Sequence, residues 1–112
     1  MARTALPAPT KVTRSGVTAV AQTALDAVNG NTVANTGTSY CEVTNTDTAS
    51  HTVTFNIQQQ TDGVTPTAPP RTIAAGVTRK FANFPVNIYG SALQINTDSA
   101  LVKIASYYNA NN

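Results

Sequence analysis

Polarity alternates residue by residue along most of the chain beyond Thr38, and this period of two is the strongest limit on its fold. In SYCEVTN, residues 39–45, Cys41 and Val43 share one parity while Tyr40, Glu42 and Thr44 share the other. In HTVTFNI, residues 51–57, Val53, Phe55 and Ile57 alternate with Thr52, Thr54 and Asn56. Successive side chains of an extended strand point to opposite faces, so each run is a half-buried strand with its apolar set turned inward. Cys41 thus points with the core. His51 has the core parity but opens its strand. NTDTAS lies between the two runs and is rich in turn formers, so together they read as a hairpin.

The rest of the chain repeats the pattern in shorter pieces. QQQTDGVTPTAPPR carries Asp62, Gly63 and the prolines at 66, 69 and 70. Proline removes a ladder donor, which makes this stretch a loop or edge connection. A short strand follows at Arg71–Ile73, then a turn at AAG, a strand in VTRKFANF and a corner at FPVNIYG. ALQIN and ALVKIASYY flank the turn signal TDS and read as a closing hairpin. Before Thr38, TKVTRSGVTAVAQ reads as one strand or two broken at Gly16, and TALDAV as extended. Seven or eight short strands at this spacing form one antiparallel β-sandwich, jelly-roll or immunoglobulin-like. Its expected span is residues 12–108, with an extended N-terminal arm over 1–11 and a tail over 109–112.

The totals exclude several function classes. The chain has 112 residues, enough for one domain with one core and no obligatory disulfide or metal. Charged residues make up 11% of it, against roughly 25% in an average soluble domain. Threonine, asparagine and serine supply the missing polarity without charge. The net charge is +2, and no basic run alternates with aromatics, so nucleic acid is not an expected partner. No apolar stretch approaches the roughly 20 residues that span a bilayer. The start MARTALPAPTK lacks the hydrophobic centre of a secretory signal. The expectation is a protein that stays in the cytoplasm where it is made, or leaves inside a larger assembly.

Chemistry has few candidates. The chain holds one cysteine and one histidine, and the strand reading turns Cys41 into the core while His51 lies at a loop end. A buried thiol behaves as a small hydrophobe, so the pair is not expected to be catalytic. Structural zinc wants four cysteine or histidine ligands. Asp47, Asp62 and Asp98 sit in separate turns and more simply bond to nearby backbone. No P-loop or dinucleotide fingerprint is present. The expectation is no enzyme, no metal and no cofactor. Basic residues group as Arg3, Lys11 and Arg14, and as Arg71, Arg79 and Lys80, a distribution suited to docking on an acidic partner.

Two stretches carry a family resemblance. GNTVANTGTSYCEVTN, residues 30–45, resembles the Gly-x-x-x-x-Asn-x-Gly-x-Thr/Ser-x-hydrophobic-x-Val-x-Asn signature of small β-sandwich structural proteins from the virions of actinobacterial tailed phages. TIAAGVTRKFANFPVNIYG, residues 72–90, is similar to their second motif, a Val-Pro-Ala-Gly turn leading through a strand to Gly-Pro-Phe-Pro and a tyrosine. The second motif departs here at Ala74, Ala82 and Asn83. The resemblance implies a decoration or cement protein on the outside of a capsid, with the major capsid protein and copies of itself as partners, a trimer favoured among rings. On that reading Arg3, Lys11 and Arg14 dock on the shell, and Phe84, Pro85 and Tyr89 shape a corner at a contact or in the core. The rival reading is a tail-associated or cell-surface module that binds carbohydrate or protein.

Overall fold

In a computed structural model, which describes residues 3–109, the chain forms two packed five-stranded sheets, an all-β sandwich. The first sheet contains β1 (Thr4–Ala5), β4 (Asn31–Ala34), β9 (Ala92–Thr97), β6 (His51–Phe55) and β7 (Arg71–Ile73), in that spatial order. The second runs β2 (Thr10–Val12), β10 (Val102–Asn109), β5 (Ser39–Asn45) and β8 (Thr78–Phe81), and β3 (Thr23–Ala24) also pairs with β10. One helical turn, α1 (Val86–Tyr89), makes the expected corner after Pro85.

The alternation in the sequence produces the core directly. Cys41 and Val43 from β5, Val53 and Phe55 from β6, Leu93 and Ile95 from β9, and Val102 and Ile104 from β10 are all buried. Leu25, Val33, Ile73 and Phe84 complete the cluster. Each such side chain contributes about 1.5–3 kcal/mol relative to exposure. Ile57, expected inward, falls beyond the end of β6 and is half-buried.

Neither expected hairpin forms. β5 and β6 belong to opposite sheets, so residues 46–50 cross between the layers. β9 and β10 are likewise separated, and the TDS turn is a second crossing. β5 pairs instead with β10 and β8, both antiparallel. The physical reason is the filling of both inner faces: a crossing connection puts consecutive apolar faces opposite one another, where they bury each other.

The expected arm over residues 1–11 is also different. Its described part is built into the domain, with β1 parallel to β4 in one sheet and β2 parallel to β10 in the other. These two edge pairs make otherwise antiparallel sheets mixed. Thr4 and Leu6 donate backbone bonds to Gly30 and Thr32, and Leu6 packs against the core. Residues 13–22 then run over the outer face of the second sheet, where the Val20 amide donates to the Tyr107 hydroxyl at 3.0 Å. Their cover explains why Ala105 and Tyr107, on the outward track of β10, are buried. Residues 110–112 of the expected tail lie outside the described residues, and Asn109 closes β10.

Candidate functional site

The two residue types most open to chemistry are held apart. Cys41 sits in the second sheet, fully buried, with Ser106 Oγ 3.8 Å from its sulfur. Burial pushes its thiol up to about 11, against a weaker pull from Ser106, so it carries no thiolate at neutral pH. His51 begins β6 in the other sheet, opposite Ile73. Its partner Ile73 accepts from the Asn45 side chain, and Cys41 is four residues away from Asn45 along β5. At about 3.3 Å per residue the pair is separated along the strand as well as between layers.

His51 has gained two acidic neighbours. Its Nε2 is 2.6 Å from Asp47 Oδ2, and its Nδ1 is 3.1 Å from Asp98 Oδ1, though out of hydrogen-bond alignment. Asp47 belongs to the β5–β6 crossing and Asp98 to the β9–β10 crossing, so one imidazole joins both at the same end of the sandwich. The bond to Asp47 raises the His51 pKa above the usual 6.5, against partial desolvation and with help from Asp98. The same bond, with the Thr48 amide, lowers Asp47. Asp98 Oδ1 also accepts the Thr52 amide at 3.1 Å. The expectation that these aspartates bond to nearby backbone holds for Asp47, while Asp98 reaches across to β6. With its two nitrogens facing different carboxylates, the ring is a clamp between loops. No group of three or more ligating side chains among the described residues could hold a metal ion.

The candidate docking cations divide. Arg3 lies against its own sheet, its Nη1 donating to Asn96 Oδ1 at 2.7 Å and to the carbonyl oxygens of Ile95 and Asn31 at 3.3 and 3.5 Å. Gly30 makes room for it: a Cβ there would stand 2.2 Å from Arg3 Nη1. Lys11 is exposed on β2, and Arg14 is exposed in the turn at Thr13–Gly16. The aromatic corner divides as well. Phe84 is buried, its ring 4.8 Å from Phe55 and 5.2 Å edge-on to Tyr89. Phe81 continues the row at 5.1 Å from Phe55. Pro85 is exposed at the start of α1 and Tyr89 is half-buried.

Three buried asparagines, whose role the sequence reading missed, account for the 30–45 motif. Asn31 Oδ1 accepts the Asp26 amide at 2.7 Å, and its Nδ2 donates to Thr4. Asn35 Nδ2 donates to the carbonyls of Phe84 and Gly90 at 2.9 and 3.0 Å, while its Oδ1 accepts the Gly37 amide. Asn45 Nδ2 donates to Ala49 and Ile73 at 2.8 and 2.9 Å, and its Oδ1 accepts the Asp47 amide. Each fastens a strand end to a loop or to the opposite sheet. Buried amides with their valences met favour one arrangement over its competitors, because other pairings leave them unpartnered. Ser39 and Asn45 share the inward parity of Cys41 and Val43, and this polar intrusion on the core track was the available signal.

No family model, curated protein or solved structure matches the chain.

Proposed function

We propose that this chain is a structural protein of a tailed-phage virion that decorates or cements the outside of the capsid shell. The observation that carries the reading is the physical role of the motif behind the resemblance. Gly30 seats Arg3, Gly37 donates to Asn35, Asn35 fastens the end of β4 to the Phe84 and Gly90 carbonyls, and Asn45 fastens β5 to Ile73 of the opposite sheet. The likeness therefore falls on positions that determine a sandwich, and not on incidental turn composition. What it supports is kinship of fold, from which the virion role follows by analogy. The placement of Cys41 and His51 in opposite sheets is compatible with a structural role.

The mechanism is mechanical. Copies associate around a symmetry axis, a trimer favoured, and bridge subunits of the major capsid protein. Many copies on a repeating lattice turn modest contacts into strong ones. Lys11 and Arg14, both exposed on the N-terminal side of the domain, are the docking cations, whereas Arg3 holds the fold. Pro85 and Tyr89 remain available at the corner, with Phe84 packed beneath them.

The test is co-sedimentation with shells assembled from the major capsid protein alone. Saturable binding is expected, weakened at least tenfold by combined Lys11→Glu and Arg14→Glu. Absence of wild-type binding, with capture on a glycan array or whole cells, would favour the carbohydrate- or protein-binding module instead.

A further inference from the structure

We propose that the outer edge of β8 is a docking site for an extended acidic peptide segment, which adds to the second sheet as a further strand. This inference stands apart from the virion reading and holds for any partner that presents such a segment.

The ladder shows which groups are free. Thr44 pairs with Thr78, Val43 with Arg79 and Glu42 with Lys80. One residue before that register, the Asn45 amide donates to the Val77 carbonyl at 3.1 Å. Hydrogen-bonded and non-hydrogen-bonded pairs alternate along an antiparallel ladder. Arg79 and Phe81 therefore spend their backbone groups on β5, while Thr78 and Lys80 aim theirs away from it. The second sheet ends at β8, and both residues are exposed.

The neighbouring edge is partly occupied. Thr72 of β7 faces away from β6 by the same alternation, because the Thr52 backbone bonds with Asp98 and Thr97 on its other side. Arg79 reaches from β8 to donate to the Thr72 carbonyl at 2.8 Å, its guanidinium 5.0 Å from the centre of the Phe81 ring. On the far side, β1, β2 and β3 are only two or three residues long. Among the described residues β8 is left as the four-residue edge whose outward backbone groups have no partner.

Charge selects the occupant. Lys80 and Arg79 lie on the strand itself and Arg71 on β7 of the facing sheet, and the one acid among them, Glu42, pairs loosely with Lys80 at 4.0 Å, which leaves the edge basic. A second copy pairing edge to edge would set these cations against their own kind, which is unfavourable. An acidic strand meets them instead. A cleft of about 100 Å³ opens beside the same edge, lined by Phe55, Phe81, Phe84, Tyr89 and Arg71, and takes one apolar side chain of the segment. Backbone bonds supply affinity and pocket and charge supply selectivity, the general logic of strand addition.

The probe is a fluorescein-labelled heptapeptide, Asp-Val-Glu-Val-Asp-Thr-Glu, titrated by anisotropy against the full chain. Saturable binding is expected, reduced at least tenfold by Arg71→Gln combined with Lys80→Gln. The same peptide N-methylated at alternate amides, in both registers, is expected to lose binding in the register that faces β8. That arm leaves the protein untouched, so misfolding cannot imitate it. Equal binding of both methylated forms would reduce the interaction to charge attraction and overturn strand addition. No binding of the unmodified peptide at millimolar concentration would also overturn it, leaving Lys80 as a guard against self-pairing.

Discussion

Replacing Asn45 with alanine is the most direct test of the clip argument. Asn45 is fully buried and makes three hydrogen bonds, two donated to the carbonyls of Ala49 and Ile73 and one accepted from the Asp47 amide. The Ile73 bond is buried, so water cannot replace the donor that its carbonyl loses, at about 1–3 kcal/mol. The other two are only partly buried, and water can replace them, at about 1 kcal/mol each. The sum is roughly 3–5 kcal/mol, a large share of the about 5–15 kcal/mol that holds a domain folded. With a urea slope of about 1–3 kcal/mol/M, the midpoint falls by about 2 M. The chain has no tryptophan, so the transition is followed by tyrosine fluorescence and far-ultraviolet circular dichroism. Asn45→Asp is expected to be no better at neutral pH, because a carboxylate would face two carbonyl oxygens. Exposed Asn87 in α1 is the control, with Asn87→Ala expected within about 0.5 kcal/mol of wild type. A loss below about 1 kcal/mol for Asn45→Ala would refute the claim that this amide ties the β5 end to the opposite sheet.

The clamp at His51 gives a pH signature. Its folded pKa lies above the usual 6.5, so its contribution is complete below that value and is lost as pH rises through the folded one. Asp47 is lowered from 3.8, so its contribution is present above that value and is lost as pH falls through the folded one. The clamp is therefore strongest between pH 3.8 and 6.5, and His51→Gln should flatten the change in urea midpoint between acidic and mildly alkaline buffer. Cys41 should resist iodoacetamide at neutral pH in the folded protein and react at once in urea, as its buried thiol requires; rapid native labelling would contradict the burial. Gly30→Ala places a methyl 2.2 Å from Arg3 Nη1 and 2.6 Å from Asn96 Oδ1 at a φ of +76°, and should cost about 1–3 kcal/mol. Arg3→Ala in the same background should relieve only part of that loss, since φ and Asn96 are unchanged.

How much of this was legible depends on whether the cause is local. The inward set Cys41, Val43, Val53 and Phe55 follows from parity alone, as do the strands at Arg71–Ile73 and Thr78–Phe81. Parity tells a strand which face to bury, but it does not name its neighbour. The loops at 46–50 and 98–101 have the composition of hairpin turns, yet both cross the roughly 10 Å between packed sheets. What favours crossing is long-range: Asn45 bonded to Ile73, and Thr46 bonded to Leu101. The N-terminal stretch misled for a related reason. Prolines 7 and 9 and sparse apolar residues suggest a loose arm, while Leu6 and Arg3 find partners only in residues far along the chain. The His51 clamp was half visible, since Asp47 is four residues away in sequence, but nothing local points from His51 to Asp98.

The distribution of charge connects the fold to both docking arguments. Of the five acids, Asp26, Asp47 and Asp98 are spent on turns and on His51, and Glu42 accepts from Gln22. Arg3 and Arg79 are spent on carbonyls within the sandwich. Lys11, Arg14, Arg71 and Lys80 are exposed, with Glu42 4.0 Å from Lys80 Nζ. Attraction to such cations acts through solvent and weakens as salt shortens the screening length from about 10 Å at 0.1 M to about 3 Å at 1 M. Backbone bonding along β8 is not screened in this way. If both proposals hold, raising salt should weaken the proposed shell docking through Lys11 and Arg14 almost completely, whereas the peptide on β8 should keep its sensitivity to N-methylation. That difference separates the two proposed surfaces despite their same sign of charge, because one would hold its partner by field alone and the other by field plus ladder.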